Sequence, residues 1–176
     1  MKKTLIVLAH PNMQESVVNK ALIETIKDEN EITVHDLYTT YTTVENIDVA
    51  QEQELLLAHE RIIFQFPLYW FSSPAILKEW LDKVFAYGFA YGHEGTKLVG
   101  KEAHIVVSAG SPVAEYSAEG YNRFTLEEYF LPLKASILYT GMEFKGIFAV
   151  GGALGITPEA LAQGATDYKN FILQNS

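Results

Sequence analysis

Short apolar runs alternate with longer stretches of helical periodicity along the whole chain. Five runs read as strands, at residues 4–9, 31–36, 61–66, 103–108 and 145–150. Three of them, TLIVLA, RIIFQF and AHIVVS, are nearly unbroken, the pattern of strands covered on both faces. EITVHDL instead alternates apolar and polar positions, which suits a sheet edge. The intervening stretches carry helix signals. Ser16 can cap a helix that turns Val18, Leu22 and Ile26 inward, and Asp48, with Gln51 three residues on, can cap another reaching about residue 59. Ser73-Pro74 opens a helix with Ile76, Leu77, Trp80, Leu81, Val84 and Phe85 on one stripe. A helix over 125–138 should be bent or interrupted at Pro132. Thr157-Pro158-Glu159 opens the last helix, which buries Leu161, Tyr168 and Ile172.

A strand followed by a helix, five times over, predicts one α/β domain spanning residues 1–176. Its sheet should be parallel, with helices on both faces and right-handed crossovers. Five strands fit the order 2-1-3-4-5, which has its switch point between strands 1 and 3; ligands in such sheets bind beyond the carboxyl ends of the strands. Residues just after each strand are therefore the ones to read for chemistry.

Composition narrows the classes. A net charge of −9 on 176 residues repels polyanions, so a nucleic-acid partner is not expected. The absence of cysteine excludes disulfides, thiolate metal sites and cysteine nucleophiles. The apolar run at residues 4–9 is too short for a signal-peptide core or a membrane span, so the expectation is a cytoplasmic protein without direct membrane insertion. His35, His59, His93 and His104 show no metal-ligand spacing, and no metal site is expected.

Beyond strand 1, HPNMQESVVN contains neither a GxGxxG fingerprint nor a P-loop. His10 at the strand end and Ser16 at a helix start can nevertheless make an anion site, with backbone N–H groups of Val17, Val18 and Asn19 pointing at a phosphate. An ordinary capped surface turn is the alternative. Beyond strand 3, PLYWFSSP places Leu68, Tyr69, Trp70 and Phe71 in a row. Such a loop either lies against a flat, partly apolar ring or packs at a subunit contact. Beyond strand 4, SAGSPVAEYSAEGYNRF brings Gly110, where a backbone can approach a ligand, together with Tyr116, Tyr121, Asn122 and Arg123. All three loops belong at one sheet edge.

LIVLAHPNMQESVVN, FQFPLYWFSSPAILKEWLDKVFAYGFAYG and SAGSPVAEYSAEGYNRFT together resemble the flavodoxin-like NAD(P)H dehydrogenase (quinone) family of FMN or FAD flavoproteins. The Gly-Tyr-Asn-Arg-Phe at 120–124 looks like its short-chain bacterial branch, which includes general stress protein 14, modulator of drug activity B and the potassium-efflux ancillary oxidoreductases. The resemblance implies a flavodoxin-like three-layer sandwich. It also implies that His10, Ser16, Val18 and Asn19 hold the flavin phosphate, and that Pro67, Leu68, Tyr69, Trp70 and Phe71 run along the isoalloxazine ring. Ser108, Ala109, Gly110 and Ser111 would contact the ring's other edge, with Tyr116 bonding flavin or substrate. Asn122 aligns with a catalytic His of longer members, and an Asn is no acid near neutral pH, so a Tyr-His relay is not carried over. The short C-terminus favours FMN over FAD.

On this resemblance the expected activity is two-electron, ping-pong hydride transfer from NADH or NADPH through FMN to a quinone-like acceptor, with Tyr116 and Asn122 as donors to the acceptor oxygen. The family also implies a homodimer with the flavin site at the interface, for whose wall Phe89 and Tyr91 are candidates against a core-packing alternative. Two other readings stay open: a regulatory flavoprotein that partners a membrane transport system, and a flavodoxin-type electron carrier. The carrier is disfavoured because LYWF replaces the acidic rim such proteins show.

Overall fold

The five apolar runs become β1 (Thr4–Leu8), β2 (Ile32–Asp36), β3 (Arg61–Pro67), β4 (Glu102–Ser108) and β5 (Glu143–Val150) in the computed structural model, which describes residues 2–174. They form one parallel sheet in the order β2-β1-β3-β4-β5, as expected. The connections supply seven helices: α1 (Val18–Glu24), α2 (Leu37–Thr40), α3 (Val49–Ala58), α4 (Ala75–Val84), α5 (Leu126–Tyr129), α6 (Leu131–Tyr139) and α7 (Pro158–Gln174). No helix among the described residues is long and apolar enough to cross a membrane.

Strand side chains alternate between two cores. Leu5, Val7, Ile62, Phe64, Phe66, Ile105 and Val107 face one cluster, with Leu56 of α3 and Ile76, Leu77 and Trp80 of α4. Ile6, Leu8, Ile63 and Val106 face the other, with Val18 and Leu22 of α1, Ile26, and Tyr168 and Ile172 of α7. Each fully buried Leu, Ile or Phe contributes roughly 1.5–3 kcal/mol, so both faces are needed to hold the sheet.

Several helix ends follow the sequence reading. The Asp48 side chain accepts from the Gln51 N–H at 3.1 Å. Others differ. Ser73 does not cap α4; Pro74 takes that position in an extended conformation, ψ 148°. The helix over 125–138 is interrupted, as expected, but at Phe130 rather than at Pro132, which leaves α5 and α6. Pro132 falls in the first turn of α6, where its missing N–H costs no bond. The short α2 was not anticipated; the Asp36 carboxylate caps it by accepting from the Tyr38 N–H at 3.0 Å.

The two-residue period also sorts the buried polar groups. Arg61, Gln65, His104 and Ser108 are all buried, and their side chains point to the α1/α7 face. Arg61 Nη1 donates to the Ile172 carbonyl at 2.7 Å, a cation at the last turns of α7. His104 packs edge-on against Phe171, and burial, aided by the Arg61 charge, pushes its pKa down to about 4. On the opposite face, the fully buried Glu52 of α3 accepts from His35 Nε2 at 2.7 Å, from Trp80 Nε1 at 2.7 Å and from the Tyr41 hydroxyl. Burial alone would raise its pKa, but the bonds from His35, Tyr41 and Trp80 prevail and hold it below the usual carboxylate value.

Candidate active site

Beyond the carboxyl ends of β1, β3, β4 and β5 lies a cleft of about 490 Å³, bounded by His10, Ser16 and Val18, by Pro67, Leu68 and Tyr69, and by Ser108, Gly110 and Leu154. Past Leu68, Gly110 and Leu154 it continues into a hollow of about 240 Å³ with Trp70, Phe71, Ser111 and Tyr116. Phe71 is also shared with a third hollow, formed by residues 119–124. The switch point between β1 and β3 thus gathers most of the residues named from sequence.

At the β1 end, His10 Nδ1 accepts from the Asn12 N–H at 3.1 Å. The neutral ring therefore carries its proton on Nε2, the donor left for a ligand. Burial lowers the His10 pKa against the opposing pull of Asp36, which favours that neutral form. Val17, not Ser16, takes the cap position of α1, but Ser16 just before it still closes the first turn, its Oγ accepting from the Asn19 N–H at 3.1 Å. That bond corrects the expectation for Asn19. Its N–H is already taken, and its side chain is 1% exposed, directed to Ser108 and Gln65 rather than to the cleft. The N–H groups of Val17 and Val18 remain open among the described residues. With only 7 residues, α1 adds little dipole of its own.

At the β3 end, Leu68 N–H donates to the Ser108 carbonyl at 2.8 Å, tying this loop to β4. Tyr69 and Ser72 then exchange two backbone bonds, each 2.9 Å, around Trp70 and Phe71. Both central residues have positive φ, 46° and 61°. This is a two-residue hairpin of the kind that favours Asn-Gly, because left-handed backbone costs an L-residue roughly 1–2 kcal/mol. Phe71 recovers part of that cost by stacking on Tyr129, with ring centroids 4.9 Å apart. Trp70 recovers none by burial, being 95% exposed. The hairpin closes the Tyr69 N–H and leaves those of Trp70 and Phe71 without partners among the described residues.

At the β4 end a second correction arises. Ala109 is fully buried; its N–H donates to the Val150 carbonyl and its own carbonyl accepts from Ala153, both at 2.9 Å. It stitches the β4 and β5 ends together and offers the cleft nothing. The N–H groups of Gly110 and Ser111 stay open among the described residues. A Cβ on Gly110 would come within 3.1 Å of Leu154, so the glycine admits that side chain as well as any ligand. Tyr116 reaches the hollow beyond Leu68, its ring edge-on to Tyr129 at 6.3 Å. Asn122 belongs to the neighbouring hollow beyond Phe71, where its Nδ2 is buried without a partner. The two candidates are neighbours across Tyr129: the Asn122 N–H donates to the Glu115 carbonyl at 3.0 Å, and the Tyr129 hydroxyl, whose ring meets Tyr116, donates to the Asn122 carbonyl at 2.5 Å. Phe89 lies in the core, and Tyr91 sits among surface tyrosines, tilted against Tyr139 at 5.7 Å and edge-on to Tyr87 at 5.8 Å, outside the cleft.

Sequence reasoning missed the loop after β5. Ala153 and Leu154 line the cleft, and Gly151 permits their approach, since a Cβ there would fall 2.5 Å from the Val113 nitrogen. The signal was present as Gly-Gly-Ala-Leu-Gly directly after the last strand. Asn12 and Glu15, which bond each other at 2.8 Å, also line the β1 side.

Known proteins share this architecture. The chain is 47% identical over 170 residues to a Bacillus subtilis protein named uncharacterized NAD(P)H oxidoreductase YrkL, covering 97% of each. It is 40% identical to the glutathione-regulated potassium-efflux system ancillary protein KefG of Yersinia enterocolitica, covering 97% of this chain and 92% of that one. Among solved structures, general stress protein 14 of Treponema denticola in complex with FMN superimposes with a TM-score of 0.89 at 36% identity, covering 97% of both chains. An NADPH-quinone reductase from P. pentosaceus gives 0.87 at 37% identity over 96% of both. A structure described as a thermophilic tryptophan halogenase from Streptomycin violaceusniger gives 0.92 at 46%, covering 96% of this chain and 98% of that one. A sequence profile matching residues 2–172 completes the case: the chain belongs to the flavodoxin-like fold family.

Proposed function

We propose that the protein is an FMN-dependent NAD(P)H oxidoreductase that passes two electrons to quinone-like acceptors by a ping-pong route. The observation that carries this reading is the row of donors, unpartnered among the described residues, along the cleft at the switch point and its adjoining hollow: Trp70, Phe71, Gly110 and Ser111 N–H groups, with His10 and Ser16 at the far end. That donor set fits FMN, a flat ring with acceptor atoms on its edges and an anionic tail. The solved relative in complex with FMN supports the choice of FMN over FAD.

Bound FMN would supply the hydride-accepting and hydride-donating centre. The chain's own residues bind and orient. His10 Nε2–H, the Ser16 hydroxyl and the Val17 and Val18 N–H groups hold the phosphate. Leu68 and Leu154 flank the ring and exclude water, and the open N–H groups of Gly110 and Ser111 favour negative charge developing at its edge. Tyr116 donates its hydroxyl proton to the oxygen of a bound acceptor, while Asn122 binds the part of the co-substrate or acceptor that reaches past Phe71. Exposed Trp70 and Tyr121 at the mouth support a homodimer that closes the site.

The test is FMN titration of the purified protein, followed by NADH and NADPH oxidation with a small quinone. Bound FMN and quinone-dependent turnover are expected; a protein that takes up no flavin and turns over neither nucleotide overturns the reading. Tyr116→Phe should lower quinone turnover by about 100-fold or more while changing FMN affinity little. Assays of the FMN-loaded protein with reductant, halide and tryptophan test the activity named for the halogenase-described relative, and no halogenated product is expected. Similarity to KefG favours a second role, regulation of a membrane transport protein. Reconstitution with such a transporter, read as ion flux with and without this chain, tests it.

A further inference from the structure

Four buried side chains run as one hydrogen-bonded file from α7 to the cleft. The Tyr168 hydroxyl donates to Gln65 Oε1 at 2.7 Å, Gln65 Nε2 donates to Asn19 Oδ1 at 3.1 Å, and Asn19 Nδ2 donates to Ser108 Oγ at 2.8 Å. Tyr168 and Gln65 are fully buried, Asn19 is 1% exposed, and Ser108 alone lines the cleft.

An amide can turn end for end, so the direction of such a file has to be argued. Tyr168 decides it. Its hydroxyl has Gln65 as its one partner among the described residues and is shut off from bulk solvent. Were the amide reversed, the Tyr168 oxygen would accept from Gln65, and the phenolic proton would be left in the core without an acceptor, costing about 1–3 kcal/mol. Gln65 must therefore present its oxygen to Tyr168 and its nitrogen to Asn19. Asn19 is then obliged to present its own oxygen to Gln65 and its nitrogen to Ser108. Burial also raises the Tyr168 pKa, so the proton that starts the file stays in place across the working range.

Asn19 presents a nitrogen that cannot accept, and no acceptor for the Ser108 proton is found among the described residues, so that proton is directed to the cleft while the second Oγ lone pair stays open. We propose that Tyr168 and Gln65 are positioning residues that, through Asn19, turn the Ser108 hydroxyl proton into the cleft, favouring a ligand that presents a lone-pair atom there. This rests on the FMN reading for the identity of the ligand. It deepens that reading by assigning a binding role to residues that never touch the ligand.

A double-mutant cycle on FMN affinity tests it, read as quenching of flavin fluorescence and as the position of the bound flavin's visible band. Ser108→Ala should weaken FMN about tenfold, the worth of one hydrogen bond. Tyr168→Phe should weaken it about threefold or more and shift the band. In the Ser108→Ala background, adding Tyr168→Phe should then change neither. Equal losses in both backgrounds, or no loss with Tyr168→Phe alone, overturn the inference and leave FMN binding intact. Wild-type protein that binds no FMN overturns the functional reading itself, and this inference with it. If Tyr168→Phe does not fold, Gln65→Met breaks the same file at its second link, and the same cycle applies.

Discussion

The two faces of the sheet bury polar groups in different ways. On the α3/α4 face, Glu52 is a closed hub: three donors converge on one carboxylate, and nothing leads from it to the cleft. On the α1/α7 face, the Tyr168–Gln65–Asn19–Ser108 file is open, each group handing a bond to the next and the last facing the ligand space. Both arrays satisfy buried groups that would otherwise be costly. The difference shows that satisfaction alone does not distinguish a polar group that holds the fold from one that serves the site. The distinction lies in where the bonds end.

The contrast can be broken most forcefully at the hub. Glu52→Ala removes the common acceptor of His35, Tyr41 and Trp80 and should cost about 3–5 kcal/mol in urea unfolding. FMN affinity of the folded protein should not change; a tenfold loss would mean the two faces are not separate. Acid provides the next test. The His104 pKa is about 4 in the folded protein, below the ordinary 6.5, so the unfolded chain binds the extra proton first. The stability from its neutral form is complete above pH 6.5 and lost as pH falls toward 4, by roughly 3 kcal/mol at most. Glu52 is held below the usual carboxylate value, so it gains its proton at lower pH than an ordinary carboxylate would. Hydrogen exchange at pH 5 should therefore show α7 losing protection before α3, and His104→Phe should level the two. The smallest effect lies at the mouth of the cleft. Trp70→Gly removes an exposed ring from a left-handed position and should stabilise the fold by up to about 1 kcal/mol while lowering quinone turnover. Lower stability in the same denaturation assay would show that the tryptophan packs against something after all.

Much of this was legible because apolar runs and helix caps are local signals. TLIVLA, RIIFQF and AHIVVS set the strands, and the strand order followed from five βα repeats. The cleft was legible for a related reason: strand ends mark it, and His10, Leu68, Gly110 and Tyr116 all reached it. What was not legible depended on partners distant in sequence. Asn19 read as a phosphate ligand although Ser16, three residues back, claims its N–H; that Ser108 and Gln65 occupy its side-chain amide is what no local signal shows. Ala109 read as a free N–H because its acceptor, Val150, lies on another strand. Gln65 was passed over inside an apolar run, although its place two residues after Ile63 puts both side chains on one face. The loop at 151–155 was missed by not applying to strand 5 the rule applied to strands 1, 3 and 4.

The hairpin at Trp70 and Phe71 has a consequence for anyone who would evolve this protein in the laboratory. Two adjacent residues hold a mirror-handed backbone that glycine or asparagine adopts more readily. A library selected for heat resistance alone should converge on those two residues at 70 and 71. A library selected for turnover should discard them, so the sequences recovered under the two pressures would record which residues this turn keeps for chemistry rather than for folding.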